Sequence, residues 1–210
     1  MSQRDGSPAG ASSQIHRRPG WRRPGRRLPG ARARAPAYAA GPAPNAGARD
    51  LVGERPFTRG SDAEKASFLY LLARDNEVED LADLLSEHPV TLAGVAEHVC
   101  AAPGCAEPDA RWQIAAYLPA IGPDATPLLL TLFADDDEYV RRRALLSLGE
   151  LGVPAAEGCA VAAWESGLEY QRIASLHVLH QIGSLELETY AKRAAGDPRS
   201  FVRQAARRLA

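Results

Sequence analysis

From Ser61 onward, apolar side chains recur every three or four positions. Phe68, Leu69 and Leu72 form one such stripe, and Val78, Leu81, Leu84 and Leu85 form a second. Offsets of three and four place side chains on one face of a helix. The pattern predicts helices over 61–73, 76–88 and 90–100, and the stretch His88-Pro89 separates the last two, because a residue before proline is pushed out of the α region. Further helices follow over 107–121, 124–133, 135–151, 154–165, 168–182 and 185–194, and a last one runs from 196 to the end. Gly122, Gly152 and Gly183 stand where a left-handed residue ends a helix. Acids or a proline open the next one, as Asp135-Asp136-Asp137-Glu138 does. No stretch alternates with the period of a strand, so the predicted fold is all-α.

The helical stripes repeat. Arg111, Arg141, Arg172 and Arg203 are spaced by 30, 31 and 31 residues. With these superimposed, Ile114, Ala144, Ser175 and Ala206 align, as do Leu118, Leu148 and Leu179. A period of this length is the mark of stacked helical hairpins, each unable to bury its apolar face alone. The expected architecture is a short α-solenoid over 61–210, with 61–105 as a divergent N-terminal cap and 106–210 as the repeats.

The run Asp137-Glu138-Tyr139-Val140-Arg141-Arg142-Arg143-Ala144 to Gly152 resembles the short bacterial HEAT-like repeat, the kind also found in phycobilisome lyases. Gly196-Asp197-Pro198-Arg199-Ser200-Phe201-Val202-Arg203 resembles the opening of another. The units at Arg111 and Arg172 depart from the pattern, with Ala110 and Gln171 where the family has valine. The resemblance implies a right-handed superhelix of three complete units and one incomplete one. It also implies that Arg111, Arg141, Arg172 and Arg203 are structural, each pairing with an aspartate of an adjacent unit; Asp135, Asp137 and Asp197 are the candidate rungs. The function it implies is protein–protein interaction on the concave face of the returning helices, without catalysis. Two enzymatic alternatives come with the family: a phycobilin lyase, and an alkylation-repair DNA glycosylase that would use tryptophan, aspartate and arginine on a basic surface.

Charge divides the chain. Residues 1–60 hold 12 arginines against 3 acids, a net of +9, in an Arg-Arg-Pro-Gly-rich composition that predicts a disordered tail. Residues 61–210 hold 13 basic and 23 acidic residues, a net of −10. A folded part of that sign repels phosphates, which argues against nucleic acid there and leaves it open for the tail. Glu157, Glu165, Glu186 and Glu188 fall on the returning helices beside Trp164. They form the expected partner-binding surface, suited to a partner with a basic segment. The last helix has no returning partner, so Val202, Ala206 and Leu209 are expected to leave an apolar edge open to a homotypic contact.

Candidate chemistry is sparse. His98, Cys100 and Cys105 have a metal-like spacing, but residues two apart on a helix point in nearly opposite directions, so no metal or cofactor is expected. His177 and His180 lie three apart on one helix without an acid–base partner of matching spacing. Three cysteines do not make a disulfide framework, and no apolar run is long enough to span a bilayer. No apolar segment follows the N-terminal arginines as a secretion signal requires, so the expected compartment is the cytoplasm.

Overall fold

The computed structural model describes residues 46–53, 56–75 and 79–209. Among these residues there are eleven α-helices and no strand. They are α1 (Ala46–Gly53), α2 (Asp62–Arg74), α3 (Asp80–Ser86), α4 (Pro89–Ala101), α5 (Pro108–Tyr117) and α6 (Thr126–Phe133). The series continues with α7 (Glu138–Leu151), α8 (Ala155–Glu165), α9 (Glu169–Gln181), α10 (Leu187–Ala195) and α11 (Ser200–Leu209).

Local chemistry sets most boundaries. Ser61 starts α2 with a reciprocal capping box: its Oγ accepts from the Glu64 N–H at 3.3 Å, and its own N–H donates to Glu64 Oε2 at 2.8 Å. Gly152 and Gly183 follow α7 and α9 with φ of +61° and +66°, which costs glycine nothing. The predicted helix over 107–121 is instead α5 followed by a 3-10 turn at Leu118–Ile121. Pro119 is the reason, since it has no N–H for the next α-helical bond.

The composition-based boundary at 61 is too late. Helix α1 and a 3-10 turn at Phe57–Arg59 lie inside the stretch expected to be disordered, and Ala48, Leu51, Val52 and Phe57 are buried in the core. The Phe57 ring meets Phe68 and His98 edge-on at 5.4 and 5.6 Å. Burying each large apolar side chain contributes about 1.5–3 kcal/mol, enough for a few well-placed residues to order a short segment of poor composition. The rest of the expectation of disorder, for 1–45, lies outside the described residues.

From α5 on, the odd-numbered helices pack on one another in succession, α5 on α7, α7 on α9 and α9 on α11. Helices α6, α8 and α10 pack on this row, and none of them packs closely on another. The row itself is the core: Ala144, Leu145, Leu148, Leu176, Val178, Leu179 and Val202 are fully buried. Gly149 lets α7 and α9 approach, because a Cβ there would lie 2.8 Å from Val178 Cγ2. Three side chains staple successive helices through backbone carbonyls. Gln113 Nε2 donates to Leu72 O of α2 at 2.6 Å, Ser147 Oγ to Ala115 O of α5 at 2.7 Å, and Gln171 Nε2 to Glu138 O of α7 at 2.9 Å.

Candidate functional site

The four register arginines share one job: each donates to backbone carbonyl oxygen that precedes its own helix, in the loop for Arg111, Arg141 and Arg203 and in the last turn of α8 for Arg172. Arg111 Nη1 reaches Ala106 O at 2.8 Å, and Arg141 Nη1 reaches Asp135 O and Asp136 O at 2.7 and 2.9 Å. Arg172 Nε reaches Trp164 O at 3.2 Å, and Arg203 Nη1 reaches Asp197 O and Pro198 O, both at 2.7 Å. A guanidinium has five donors in a rigid fork, so one side chain can hold several loop carbonyls.

Among the described residues, the register arginines form carboxylate rungs at two places. Arg111 binds Asp135 bidentately, Nε to Oδ2 and Nη2 to Oδ1 at 2.8 Å each, and Nη2 also reaches Asp136 Oδ1 at 2.7 Å. Asp197 accepts from Arg172 Nη1 at 2.5 Å and from Arg199 through Nε and Nη2 at 2.8 Å each. Arg199 Nη1 also donates to Gly167 O, tying the two loops together. Asp135 and Asp197 both stand six residues before a register arginine; Ser166 occupies that position ahead of Arg172. Arg141 and Arg203 therefore make carbonyl contacts in place of the expected ion pairs. Asp137 is a second correction: its Oδ1 accepts from the Tyr139 and Val140 N–H groups at 2.9 and 3.1 Å and caps α7, so it is no rung.

The electrostatics follow the contacts. Burial alone raises the Asp135 carboxyl, but the hydrogen bonds from Arg111 and from the Asp137 N–H outweigh it and hold the group below the usual carboxylate range. Hydrogen bonds from Arg199, opposed by burial and reinforced by Arg172, depress Asp197 further. Burial pushes the Tyr117 hydroxyl up, aided by the carboxylates of Asp83 and Glu79 at 2.7 and 2.8 Å. These groups join α5 to α3; they are structural contacts rather than a reactive set.

The expected partner-binding residues do not form one open surface. Trp164 is 1 % exposed; its indole packs against Tyr190 at 5.4 Å and under the guanidinium groups of Arg172 and Arg193 at 5.0 and 5.5 Å. Glu165 is bound by Arg193 Nη1 at 2.6 Å, and Glu188 by Lys192 Nζ at 2.6 Å. Glu157 accepts from Ser184 Oγ, while Glu186 stays exposed. A basic partner would thus meet three carboxylates that already hold a cation or hydroxyl of this chain, with Glu186 beside them. The C-terminal edge differs too: Val202 and Ala206 are buried against the preceding helices, and α11 turns Gln204, Arg207 and Arg208 outward with Phe201.

Among the described residues, no group of three or more His, Cys, Asp or Glu side chains is placed to hold a metal ion. His98 meets Phe57 edge-on, the Cys100 Sγ lies 3.8 Å from Leu128 O, and Cys105 is exposed, so the three do not converge. No helix of the described residues is long and apolar enough to cross a membrane. Tryptophans offered by the glycosylase alternative are enclosed as well: Trp112 is 6 % exposed, with its Nε1 donating to Asp109 Oδ1 at 3.0 Å.

No protein-family model matches the chain, and no curated protein matches it.

A set of residues outside the sequence-derived site stands out instead. Tyr139, Tyr170 and Phe201 each lie two residues before a register arginine, on three consecutive odd-numbered helices. Tyr170 and Phe201 are 38 % and 59 % exposed. Trp112 meets Tyr139 edge-on at 5.4 Å, and Arg143 lies over both rings at 5.1 and 5.5 Å. Arg142 bridges to the next helix, 5.9 Å over Tyr139 and 5.2 Å over Tyr170. The superposition that aligns the arginines also aligns these rings, so the signal was present in the sequence two positions away.

Proposed function

We propose that the chain is a non-catalytic protein-interaction scaffold, built as a short α-solenoid of HEAT-like hairpins and working in the cytoplasm. The observation that carries this reading is the recurrence of a large aromatic side chain at one register of helices that pack in succession, half-buried at Tyr139 and exposed at Tyr170 and Phe201. Aromatic groups anchor protein interfaces because they bury much area at little entropic cost. A fixed backbone beneath them supports the same reading: the arginine contacts to loop carbonyls hold each helix start in place, so a partner would meet a preformed surface. The three free cysteines are compatible with a reducing compartment.

The test is site-specific photo-crosslinking in the native cell, with the reactive group at Tyr170 or at Phe201. The reading expects the same protein to be captured from both positions, and not from a position on α6. Capture of nothing from either site refutes it, as does turnover of a small-molecule substrate by the purified chain.

A further inference from the structure

Positions 139, 142, 143 and 146 share one face of α7 by helical spacing, and positions 170 and 177 share the matching face of α9. On α11 the equivalent face carries Phe201, Gln204 and Arg208, all exposed. The three faces adjoin. Arg142 reaches across to Tyr170, and His177, whose imidazole is pushed below its usual value by burial and then by the charges of Arg142, His180 and Arg208, lies further along the same face of α9. Glu150, exposed at the far end of the α7 stripe, and Glu138, beside Arg142, are the acids near this surface.

The guanidinium groups here are used in a particular way. Stacking on an aromatic ring occupies the flat face of a guanidinium and leaves the N–H donors at its edge. Arg143 lies over the rings of Trp112 and Tyr139 with its Nε buried beneath the surface, so a partner would meet the terminal nitrogens of the guanidinium. On the returning helices, by contrast, Arg193 is paired with Glu165 and Lys192 with Glu188. Arg142, Arg143 and Arg208 thus place positive charge along one face of a chain whose residues 61–210 carry a net charge of −10.

We propose that the outward face of α7, α9 and α11 is a docking surface for an acidic segment of a partner protein. The carboxylates of that segment take the edges of Arg143 and Arg208, and its apolar side chains lie against Tyr170 and Phe201. Carboxylate and guanidinium match in a bidentate fork, which is the geometry a ring-stacked arginine leaves free. A nucleic acid fits less well: its evenly spaced phosphates would run beyond the patch into the acidic remainder, whereas a short acidic segment ends where the arginines end. The proposal rests on the scaffold reading and adds to it the face and the partner's chemistry.

The experiment uses the full chain and fluorescence anisotropy. The probe is a fluorescein-labelled peptide of repeating Glu-Glu-Leu units, compared with a Lys-Lys-Leu peptide and a single-stranded DNA. Wild-type protein is expected to bind the acidic peptide, with affinity falling as salt rises. Arg143→Glu, Arg208→Glu and Phe201→Ser are each expected to weaken binding by about tenfold or more. The last two residues are exposed, so those variants fold even if Arg143→Glu does not, and circular dichroism verifies it. The proposal is overturned if the acidic peptide does not bind, or if all three variants bind it as wild type does, which would assign the binding to the arginine-rich residues 1–60. It is also overturned if the same substitutions reduce DNA binding and the DNA binds more tightly than the peptide. Tighter binding of the lysine peptide through Glu186 would sink this inference and leave the scaffold reading standing. Failure of the crosslinking test would sink both.

Discussion

Replacing Asp135 with alanine would remove the carboxylate that holds the most buried arginine in the described chain. The Asp135 side chain is 3 % exposed and that of Arg111 is 7 % exposed, with two contacts of 2.8 Å between them. At an effective dielectric constant of about 20, charges at this distance attract by about 6 kcal/mol, much of it offset by the desolvation of both groups. Removing one partner loses the attraction and keeps the other group's desolvation, so the expected cost of Asp135→Ala is about 3–5 kcal/mol. Asp136, whose side chain is 90 % exposed, can recover little of that. An internal control exists in Arg74–Glu107, a pair at 2.6 Å whose side chains are 47 % and 49 % exposed. Glu107→Ala should cost at most about 1 kcal/mol, because water and salt screen such a pair. Urea unfolding at neutral pH, followed by far-ultraviolet circular dichroism, separates the cases. With a slope of about 2 kcal/mol per molar, Asp135→Ala moves the midpoint by about 1.5–2.5 M and Glu107→Ala by less than about 0.5 M. The double variant Arg111→Met, Asp135→Leu should recover most of the loss, since an apolar pair has no charge to strand. Equal midpoints for Asp135→Ala and Glu107→Ala would refute the argument that burial makes the difference.

Four further outcomes are expected. Gly149→Ala should destabilise by about 1–2 kcal/mol, because overpacking against Val178 exceeds the helix-propensity gain of about 1 kcal/mol; in a Val178→Ala background the same change should stabilise, as thermal melts would show. Trp164 Nε1 is buried without an acceptor among the described residues, so Trp164→Phe should cost far less than the roughly 3–5 kcal/mol of Trp164→Ala; comparable losses on calorimetry would show that the N–H is bonded. Asp135 and Asp197 are held below the unfolded carboxylate value of about 3.9, so their stabilisation is complete above that pH and is lost as pH falls through their folded values; unfolding free energy should drop from about pH 4 downward, and Asp197→Asn should flatten that slope. Lys192→Ala, which removes an exposed pair within one helix, should change the melting temperature by no more than about 2 °C.

Where the chain punctuates itself, the sequence is readable. Ser61 with Glu64 three residues on is a capping box by spacing alone, and the glycines at 152 and 183 announce helix ends without any tertiary information. Pro119 is a stop of the same kind, since its missing N–H interrupts α5 even though the apolar stripe continues to Ile121. The rungs were harder. Asp135, Asp136 and Asp137 are adjacent and chemically alike, and only the folded loop shows that the first two bind Arg111 and the third caps α7. Composition misplaced the start of the folded part, because averages over 1–60 dilute Leu51, Val52 and Phe57, whose burial depends on α2 and α4. Charge counting misjudged the returning helices for a similar reason: Glu165 and Arg193 are 28 residues apart, and no local pattern reveals that they neutralise each other.

The three staples between helices run in one direction. In each, the donor side chain belongs to the later helix and the acceptor carbonyl to an earlier one: Gln113 to Leu72, Ser147 to Ala115, Gln171 to Glu138. A chain emerging from the ribosome therefore never displays one of these three donors before its acceptor carbonyl has been made. Each new helix carries its own donor to a surface already in place, so growth is templated from the N-terminal side. A polypeptide arrested after α7 would already hold its α2–α5 and α5–α7 staples, while one begun at α7 would present Ser147 with no carbonyl to meet. Loss of material should be tolerated at the end that is synthesised last and punished at the end that is synthesised first.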